Sequence, residues 1–272
     1  MNRSIPRLVA TDLDGTLLRS DSTVSARTIA ALRGVEAAGG TLVLVTGRPV
    51  RSMRPVAEAV GHTGLAVCAN GAVVVDLHDE SIVETFPLDP AAALAVVEAV
   101  RATVPEVTFA VETAEGFSQE PDYPTHPFDT RTRLRIAVID ELIDASVVKL
   151  IVRHEQIGAD ELMAAITDVA GSLAEITHSS HIGLLEVSGT GVTKASTLAV
   201  VAGELGLGAA DVVAFGDMPN DLPMLAWAGR SYAMANAHRD VLAAVGQVAP
   251  VNDDDGVAQV LEELFDLPSG RG

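Results

Sequence analysis

Short apolar runs that stop at small polar or acidic residues recur in both outer parts of this chain. Runs of this kind, rich in Val, Leu and Ala, are typical of buried strands. Longer stretches with helical patterning lie between them, and one begins at Ser25, a residue that can cap a helix. The predicted strands cover residues 8–10, 41–45, 65–69, 72–75, 82–86, 212–215, 231–234 and 247–249, and the predicted helices cover residues 26–38, 50–60, 193–205, 219–228, 239–245 and 256–265.

The middle of the chain has a different order of elements. Helices over residues 90–103 and 158–169 alternate there with groups of strands, and residues 116–132 are loop-like, with Pro121, Pro124 and Pro127. The β-α rhythm before and after this block predicts an α/β fold with a doubly wound, Rossmann-like parallel sheet. We therefore expect a core formed by residues 1–84 and 189–272, split by an inserted α+β domain at residues 85–188.

Composition narrows the class of protein. The 272 residues are 48% hydrophobic but only 3% aromatic, which favours helices packed on a parallel sheet. The formal charge of −19 opposes binding to nucleic acid and to anionic membranes. One cysteine, Cys68, excludes an intrachain disulfide, and its apolar surroundings predict a buried thiol. No apolar stretch approaches the roughly 20 residues of a membrane span, and no signal peptide precedes the first strand, so we expect a cytoplasmic protein.

Polar side chains follow several of the predicted core strands at the point where each ends. In an open parallel sheet these ends meet at one crevice, where ligands bind. Asp12 and Asp14 are two apart, so on a regular strand both would face one side, where a divalent cation could lie between them. Gly15 permits a sharp turn, and Thr16 adds a hydroxyl donor for an anion. The other strand ends carry Thr46, Gly47, Asn70, Asp217, Asn220 and Asp221.

Acidic and glycine residues are also ordinary turn formers, so D-x-D-G-T alone leaves function open. Lysine usage adds weight to a functional interpretation. The chain has two lysines, Lys149 and Lys194, while the rest of its 18 basic residues are arginines. Lys194 lies in the first turn of the helix that re-enters the core, where the helix dipole disfavours a cation. A compact ammonium at that place suits a phosphoryl group or a carboxylate cluster.

Taken in order, D-L-D-G-T-L-L, V-T-G-R, Lys194 and G-D-M-P-N-D resemble the four motifs of the haloacid dehalogenase superfamily phosphatases. The block between the second and third motifs resembles the C2 cap of the Cof-type, or IIB, subgroup. The later stretches A-M-A-N-A and N-D-D-D-G-V-A are also similar to that subgroup. The resemblance implies a Mg²⁺-dependent phosphomonoester hydrolase that acts on small phosphorylated metabolites, such as a sugar phosphate, through an aspartyl-phosphate.

The resemblance also implies a role for each matching residue. Asp12 would be the nucleophile, and Asp14 the general acid and then the general base. Lys194 would neutralise the nucleophile and the phosphoryl group. The Asp12 carboxylate, the Asp14 carbonyl and Asp217 would bind Mg²⁺, with Asp221 supporting them. The phosphate or the remaining substrate would contact Thr46, Gly47, Asn70, Lys194 and Asn220.

Three other functions use similar residues, and the inserted block argues against the first of them. A receiver domain shares an acidic pair, a Thr and a Lys, but it needs no inserted block. A sugar phosphomutase or a regulator that binds a phosphorylated metabolite could use the same scaffold. We expect a small phosphate ester as the partner, with no nucleic acid and no membrane, and the sequence leaves the oligomeric state open. The inserted domain should close over the crevice, and its candidate contacts are His126, Arg131, Arg133, Arg153, His178 and His181.

Overall fold

The computed structural model describes residues 5–124 and 133–269. Within them, one sheet of eight strands is built from the two outer parts of the chain. Its strands are β1 (Leu8–Thr11), β2 (Thr41–Val45), β3 (Leu65–Cys68), β4 (Val73–Asp76), β5 (Ile82–Thr85), β12 (Val212–Gly216), β13 (Arg230–Met234) and β14 (Val248–Ala249). They run in the order β14-β13-β12-β1-β2-β3-β4-β5.

Parallel pairing dominates this sheet. Every neighbouring pair from β14 to β3 is parallel, and β4 and β5 add an antiparallel edge. Since β1 lies between β2 and β12, the residues that follow these strands meet at one edge of the sheet. The helices of this part are α1 (Ala26–Ala37), α2 (Met53–Val60), α6 (Lys194–Glu204), α7 (Leu222–Trp227), α8 (Arg239–Ala244) and α9 (Gly256–Leu264). The predicted doubly wound α/β core is confirmed.

Helices cover both faces of the eight-stranded sheet because its strands are apolar on both sides. Val9 and Leu44 face the cluster that contains α1, α2 and α9, whereas Ala10 and Val43 face the cluster of α6, α7 and α8. The predicted cap at Ser25 is confirmed, since its side chain accepts the amide proton of Thr28.

A second sheet of six strands comes from the middle of the chain. It consists of β6 (Thr108–Thr113), β7 (Phe117–Gln119), β8 (Arg133–Ile136), β9 (Val147–Arg153), β10 (Glu175–Thr177) and β11 (Leu184–Ser188), in the order β10-β11-β9-β6-β7-β8. Its helices are α3 (Pro90–Thr103), α4 (Ile139–Leu142) and α5 (Ala159–Ala170). One face of the sheet packs against α3 and α5 through a cluster that includes Phe109, Leu150 and Leu185.

Two strands of the second sheet were not predicted from the sequence. Residues 116–132 were expected to be loop, but Phe117–Gln119 forms β7, which pairs with β6 after a turn closed between Thr113 and Gly116. The strand β8 was not predicted either, and it pairs with β7. Both are short and gain their stability from neighbours distant in the sequence, so local patterning carries little sign of them. Residues 125–132, which contain His126 and Arg131, lie outside the described residues.

Cys68 ends β3 and is fully buried. Burial raises the pKa of its thiol to about 12, so the reactive thiolate is scarce near neutral pH. We expect iodoacetamide at pH 8 to leave the native protein unmodified and to add one label per chain in guanidinium chloride, as counted by intact mass. Labelling of the native protein at the rate of the denatured protein would contradict this expectation.

None of the helices in the described ranges combines the length and the apolar character that a membrane crossing requires.

Candidate active site

Asp12 and Asp14 lie in a turn, because β1 already ends at Thr11. They therefore do not share one face of a strand, and that part of the sequence prediction is wrong. Asp12 is buried, whereas the Asp14 side chain is 55% exposed. Gly15 makes the turn possible with a φ of 76°, and a Cβ at that position would lie 2.2 Å from Oδ2 of Asp217.

The ammonium group of Lys194 lies between two buried carboxylates. Its Nζ donates to Oδ1 of Asp12 and to Oδ1 of Asp221, each at 2.6 Å. Lys194 is the first residue of α6, which Thr193 caps. Burial favours the neutral amine, but the charges of Asp12 and Asp221 outweigh it and raise the pKa of Lys194 above its ordinary value. The lysine thus stays charged and fixes the Asp12 carboxylate.

Asp221 holds the loop that follows β12. Its Oδ2 accepts the backbone N–H groups of Asp217 and Met218, each at 3.0 Å. Gly216 leaves space for this approach, since a Cβ there would lie 2.5 Å from the Cβ of Asp221. Both oxygens of Asp221 are therefore engaged, one by Lys194 and one by the backbone, and the side chain orients the loop.

Asp217 lies opposite Asp12 across the turn. The hydroxyl of Thr16 donates to Oδ1 of Asp217 at 2.9 Å. Thr16 was expected to serve a bound anion, and instead it orients this carboxylate. Burial, followed by the nearby charge of Asp221, raises the pKa of Asp217 to about 7. Burial also raises the pKa of Asp12, although Lys194 opposes the shift.

The three carboxylates of this cluster could hold a metal ion. Asp12, Asp217 and Asp221 each offer an oxygen, and the three oxygens lie within 4.8 Å of one another. Asp221 already accepts three hydrogen bonds, whereas Lys194 and Thr16 engage only the Oδ1 atoms of Asp12 and Asp217. The oxygens that these hydrogen bonds leave free on Asp12 and Asp217 are hard donors of the kind that a divalent cation such as Mg²⁺ prefers.

Asp14 is held by an arginine that the sequence prediction did not single out. Nε and Nη2 of Arg48 donate to the two oxygens of Asp14 at 2.6 and 2.5 Å, in a bidentate pair. Arg48 ends the V-T-G-R stretch that follows β2. Its position just after a strand could have identified it as a site residue. The pair directs Asp14 toward the crevice and leaves its carboxylate in reach of water.

The ends of β2 and β3 supply polar groups beside the turn. Thr46 is buried, and its hydroxyl accepts the N–H of Arg48 at 3.0 Å. Nδ2 of Asn220 donates to Oδ1 of Asn70 at 3.0 Å, so this amide orders Asn70 while Asp221 orders Lys194. A Cβ at Gly47 would lie 3.0 Å from Oδ1 of Asn70. The absence of a side chain there keeps this edge of the crevice open.

A crevice of about 340 Å³ lies between the two sheets, in front of this turn. One wall carries Asp12, Asp14, Thr46, Gly47 and Asn220, and the six-stranded sheet supplies the other wall. The residues of that second wall include Glu112, Phe117, Tyr123, Lys149, Ile151, Leu184 and Glu186.

Lys149 links the two walls directly. Its Nζ donates to the backbone carbonyl of Gly47 at 2.7 Å and to Oε1 of Glu186 at 2.5 Å. The hydroxyl of Ser179 donates to Oε2 of Glu186 at 2.8 Å. The sequence prediction noted Lys149 only as a rare lysine and missed Glu186 altogether. Charged residues inside the apolar strands V-V-K-L-I-V-R and L-L-E-V-S were the signal.

The described residues proposed as substrate contacts in the inserted block lie outside the crevice lining. His178 contacts Asp160 at 3.2 Å, and the same carboxylate faces Nε2 of His238 at 3.3 Å. His181 stacks on the ring of His238, which precedes α8. These groups tie the six-stranded part to the eight-stranded part. Arg153 also lies apart from the crevice lining, and the Arg133 side chain lies outside the described structure.

The chain belongs to the haloacid dehalogenase-like hydrolase family, whose model matches residues 9–261. Among curated proteins, it is 27% identical over 267 residues to 5-amino-6-(5-phospho-D-ribitylamino)uracil phosphatase of Bacillus subtilis, covering 96% of this chain and 98% of the relative. It is 28% identical over 269 residues to an HMP-PP phosphatase of Enterobacter, covering 97% of each chain.

Solved structures agree with this assignment. A haloacid dehalogenase-like hydrolase from Bacteroides thetaiotaomicron is 26% identical, with a TM-score of 0.75 over 96% of this chain and 100% of the other. A protein from Streptococcus mutans, 22% identical, shares the fold with a TM-score of 0.83 over 96% of this chain and 99% of the other. The family resemblance drawn from the sequence is confirmed.

Proposed function

We propose that this protein is a Mg²⁺-dependent phosphatase that hydrolyses small phosphorylated metabolites through an aspartyl-phosphate on Asp12. The observation that carries the proposal is the arrangement of Asp12, which is buried at the crevice and held by Lys194 opposite Asp217. The family and the phosphatase names of its relatives support the same class of reaction. Those relatives act on small phosphorylated compounds by their names, which supports a small substrate here.

Asp12 is suited to nucleophilic attack on phosphorus. An oxygen of its carboxylate would form a bond to the phosphorus atom as the alkoxide leaves, giving an acyl phosphate that water then cleaves. Lys194 holds Oδ1 at 2.6 Å, orients the carboxylate and favours its ionised form against the effect of burial. Its fixed positive charge also stabilises the negative charge that gathers on the phosphoryl oxygens.

Asp14 is suited to proton transfer on the leaving-group side. It would donate a proton to the departing alkoxide and later accept one from the attacking water. Both of its oxygens accept from Arg48, so one of these bonds would open for Asp14 to carry the proton, and its exposed side chain leaves room for that movement. The hydroxyl of Thr46, which accepts the N–H of Arg48, can donate its own proton to a phosphoryl oxygen.

The metal site would use the carboxylates of Asp12 and Asp217 together with the backbone carbonyl of Asp14. A bound Mg²⁺ supplies positive charge to a nucleophile and a phosphoryl group that would otherwise repel each other. Thr16 and Asp221 serve this site by fixing Asp217 and its loop.

Residues 85–188 would act as a cap over the crevice. They supply the wall that faces the catalytic turn, and Lys149 anchors that wall to Gly47. A cap in this place would bind the leaving group and exclude bulk water from the crevice while the phosphoryl group is transferred to Asp12.

A steady-state assay tests the proposal. With Mg²⁺ present, the protein should release inorganic phosphate from p-nitrophenyl phosphate and from a panel of phosphorylated metabolites over many turnovers. Transfer of phosphate to a second hydroxyl without release of inorganic phosphate would indicate a mutase. Binding of a phosphorylated metabolite without turnover of any ester would indicate a regulator and overturn the proposal.

Metal removal and the Asp217→Ala variant test the metal site. Excess EDTA should stop hydrolysis and added Mg²⁺ should restore it, because the clustered carboxylates need a cation to receive a phosphate.

Asp217→Ala should raise the Mg²⁺ concentration for half-maximal rate by about tenfold or more. Asp211→Ala, at the other end of β12, is the matched control and should leave this concentration unchanged. Full activity in EDTA would refute the metal role, and an unchanged Mg²⁺ requirement in Asp217→Ala would remove Asp217 from it.

A further inference from the structure

Glu112 lies on the open face of the six-stranded sheet. Along β6, Phe109 and Val111 point to the helices on the other face. Because side chains alternate across a strand, Glu112 points to the crevice, whose lining it joins. It pairs across the sheet with Lys149 in the neighbouring strand β9.

One oxygen of Glu112 is satisfied and the other is not. Nη2 of Arg51 donates to Oε1 at 2.9 Å, in a charge-assisted hydrogen bond. Oε2 is buried and has no hydrogen-bond partner within the described part of the chain, although the residue is only 5% exposed. A buried carboxylate oxygen without a donor costs free energy, so native structures rarely keep one unless water or a ligand supplies a proton donor.

The groups around Oε2 determine which ligand group fits. Lys149 already donates to Glu186 and to the Gly47 carbonyl, so this cation is largely compensated. Glu112 and Glu186 are compensated in turn, by Arg51 and Lys149, so hydrogen bonding to Oε2 decides the fit. A carboxylate on the leaving group would set its lone pairs against Oε2 and would have no proton to donate. A hydroxyl or amino group in the same place would supply the missing proton donor.

An apolar surface lies next to Glu112 on the same wall. Phe117 and Ile151 are buried in one small cluster, with Leu184 packed against it, and all three line the crevice. This surface can receive the C–H face of a polyol or a ring while Glu112 receives a polar group. Both features describe a leaving group that is uncharged or cationic and carries hydrogen-bond donors.

We propose that Glu112 is a specificity-determining residue whose Oε2 accepts a hydrogen bond from a hydroxyl or amino group of the leaving alcohol. It discriminates against leaving groups that carry a carboxylate at that place, because a carboxylate has no proton to donate to Oε2. This inference rests on the phosphatase function proposed above, and it identifies the substrates as phosphate esters of neutral or cationic, hydroxyl- or amino-bearing compounds.

A matched pair of substrates tests this role. Glucitol 6-phosphate and 6-phosphogluconate share a six-carbon chain and differ at C1, which is CH2OH in the first and a carboxylate in the second. With Mg²⁺ present, the wild-type protein should show a kcat/KM for glucitol 6-phosphate at least about tenfold above that for 6-phosphogluconate. Glu112→Gln should lower this ratio about fivefold or more, because the amide keeps an acceptor for Arg51 but replaces Oε2 with a donor.

The ratio of the two kcat/KM values is the informative quantity, since the fraction of folded enzyme cancels from it. Glu115→Gln removes the same charge from an exposed position three residues further along and should leave the ratio unchanged. A wild-type ratio of one or below, or an equal ratio in wild type and Glu112→Gln, would overturn the role of Glu112.

p-Nitrophenyl phosphate separates this inference from the proposed function. Hydrolysis of that aryl ester without cleavage of either six-carbon ester would refute the inference and leave the phosphatase function standing. Failure to hydrolyse the aryl ester as well would refute the phosphatase function, and the inference would fall with it.

Discussion

The Asp12→Asn variant is expected to lose phosphatase activity by a factor of about 10⁴ or more, a loss typical for removal of a nucleophile. The amide is nearly isosteric with the carboxylate, but it cannot form the acyl phosphate. Its oxygen can still accept a hydrogen bond from Lys194, so the turn between β1 and α1 should keep its geometry. The measurement is kcat on p-nitrophenyl phosphate at saturating Mg²⁺, with circular dichroism and the melting temperature as checks on the fold.

The Asp12→Asn variant is not expected to lose stability along with its activity. Burial raises the pKa of Asp12, which means that the native state holds this charge at a cost. Its replacement by a neutral amide should therefore leave the free energy of unfolding unchanged or slightly higher. A variant that is folded, shows the mass of an undeamidated amide and still retains more than about 1% of wild-type kcat would contradict the nucleophile assignment.

Asp14→Asn is the comparison that separates the two acids. The Asp14 side chain is half-exposed and bound to Arg48, and it would serve proton transfer, not bond formation to phosphorus. The expected loss is about 10²- to 10⁴-fold, within the range for general acid–base groups. The loss of kcat should be smaller for an aryl ester, whose good leaving group needs little protonation, than for an alkyl ester. Equal losses of kcat for the two esters would count against the acid role.

The fold was predictable because its signal is local. Parallel strands buried on both sides are continuous apolar runs, and the polar residues that follow β1, β2, β3 and β12 mark the end of the sheet where ligands bind. That topology places Asp12, Lys194 and Asp217 close together. Local patterning was less informative for β7 and β8, which are short and depend on pairing with distant partners.

The opposite wall of the crevice could not be predicted for a different reason. Local patterning does not say which face of the inserted sheet turns toward the core. Glu112, Lys149 and Glu186 lie on that face, whereas the histidines chosen from the sequence contact Asp160 and one another. Charges inside apolar strands are costly unless they are paired, and that cost is the signal which identifies this face.

Lys194→Met should show the second large effect, on both stability and activity. The ammonium is fully buried between Asp12 and Asp221, and its loss leaves two carboxylates in a low-dielectric site without their counter-charge. Removal of one member of a buried ion pair typically costs about 3–5 kcal/mol in the free energy of unfolding. kcat should also fall by about 10²- to 10³-fold, because the charge that stabilises the phosphoryl oxygens is gone. Urea denaturation and p-nitrophenyl phosphate kinetics measure the two losses.

The chain offers a matched control in its other lysine. Lys149 is also buried, and it is paired with Glu186, so Lys149→Met should lose a comparable amount of stability. Its Nζ contacts the Gly47 carbonyl and not the nucleophile, so kcat for the aryl ester should fall much less than in Lys194→Met. Equal losses of kcat in the two variants would mean that Lys194 acts through stability alone.

A double variant shows whether the uncompensated charge is the cause of the destabilisation. Asp221→Asn removes one of the two carboxylates that face Lys194, while the amide oxygen can still accept a backbone N–H from Asp217 or Met218. The double variant Lys194→Met/Asp221→Asn should then be less destabilised than the sum of the single variants, by about 1–3 kcal/mol. Activity should not recover with stability, because neither change returns a positive charge to the phosphoryl site. Additive losses of stability would show that the uncompensated charge of Asp221 is not the cause of the destabilisation. Lost packing around α6 would then be the cause.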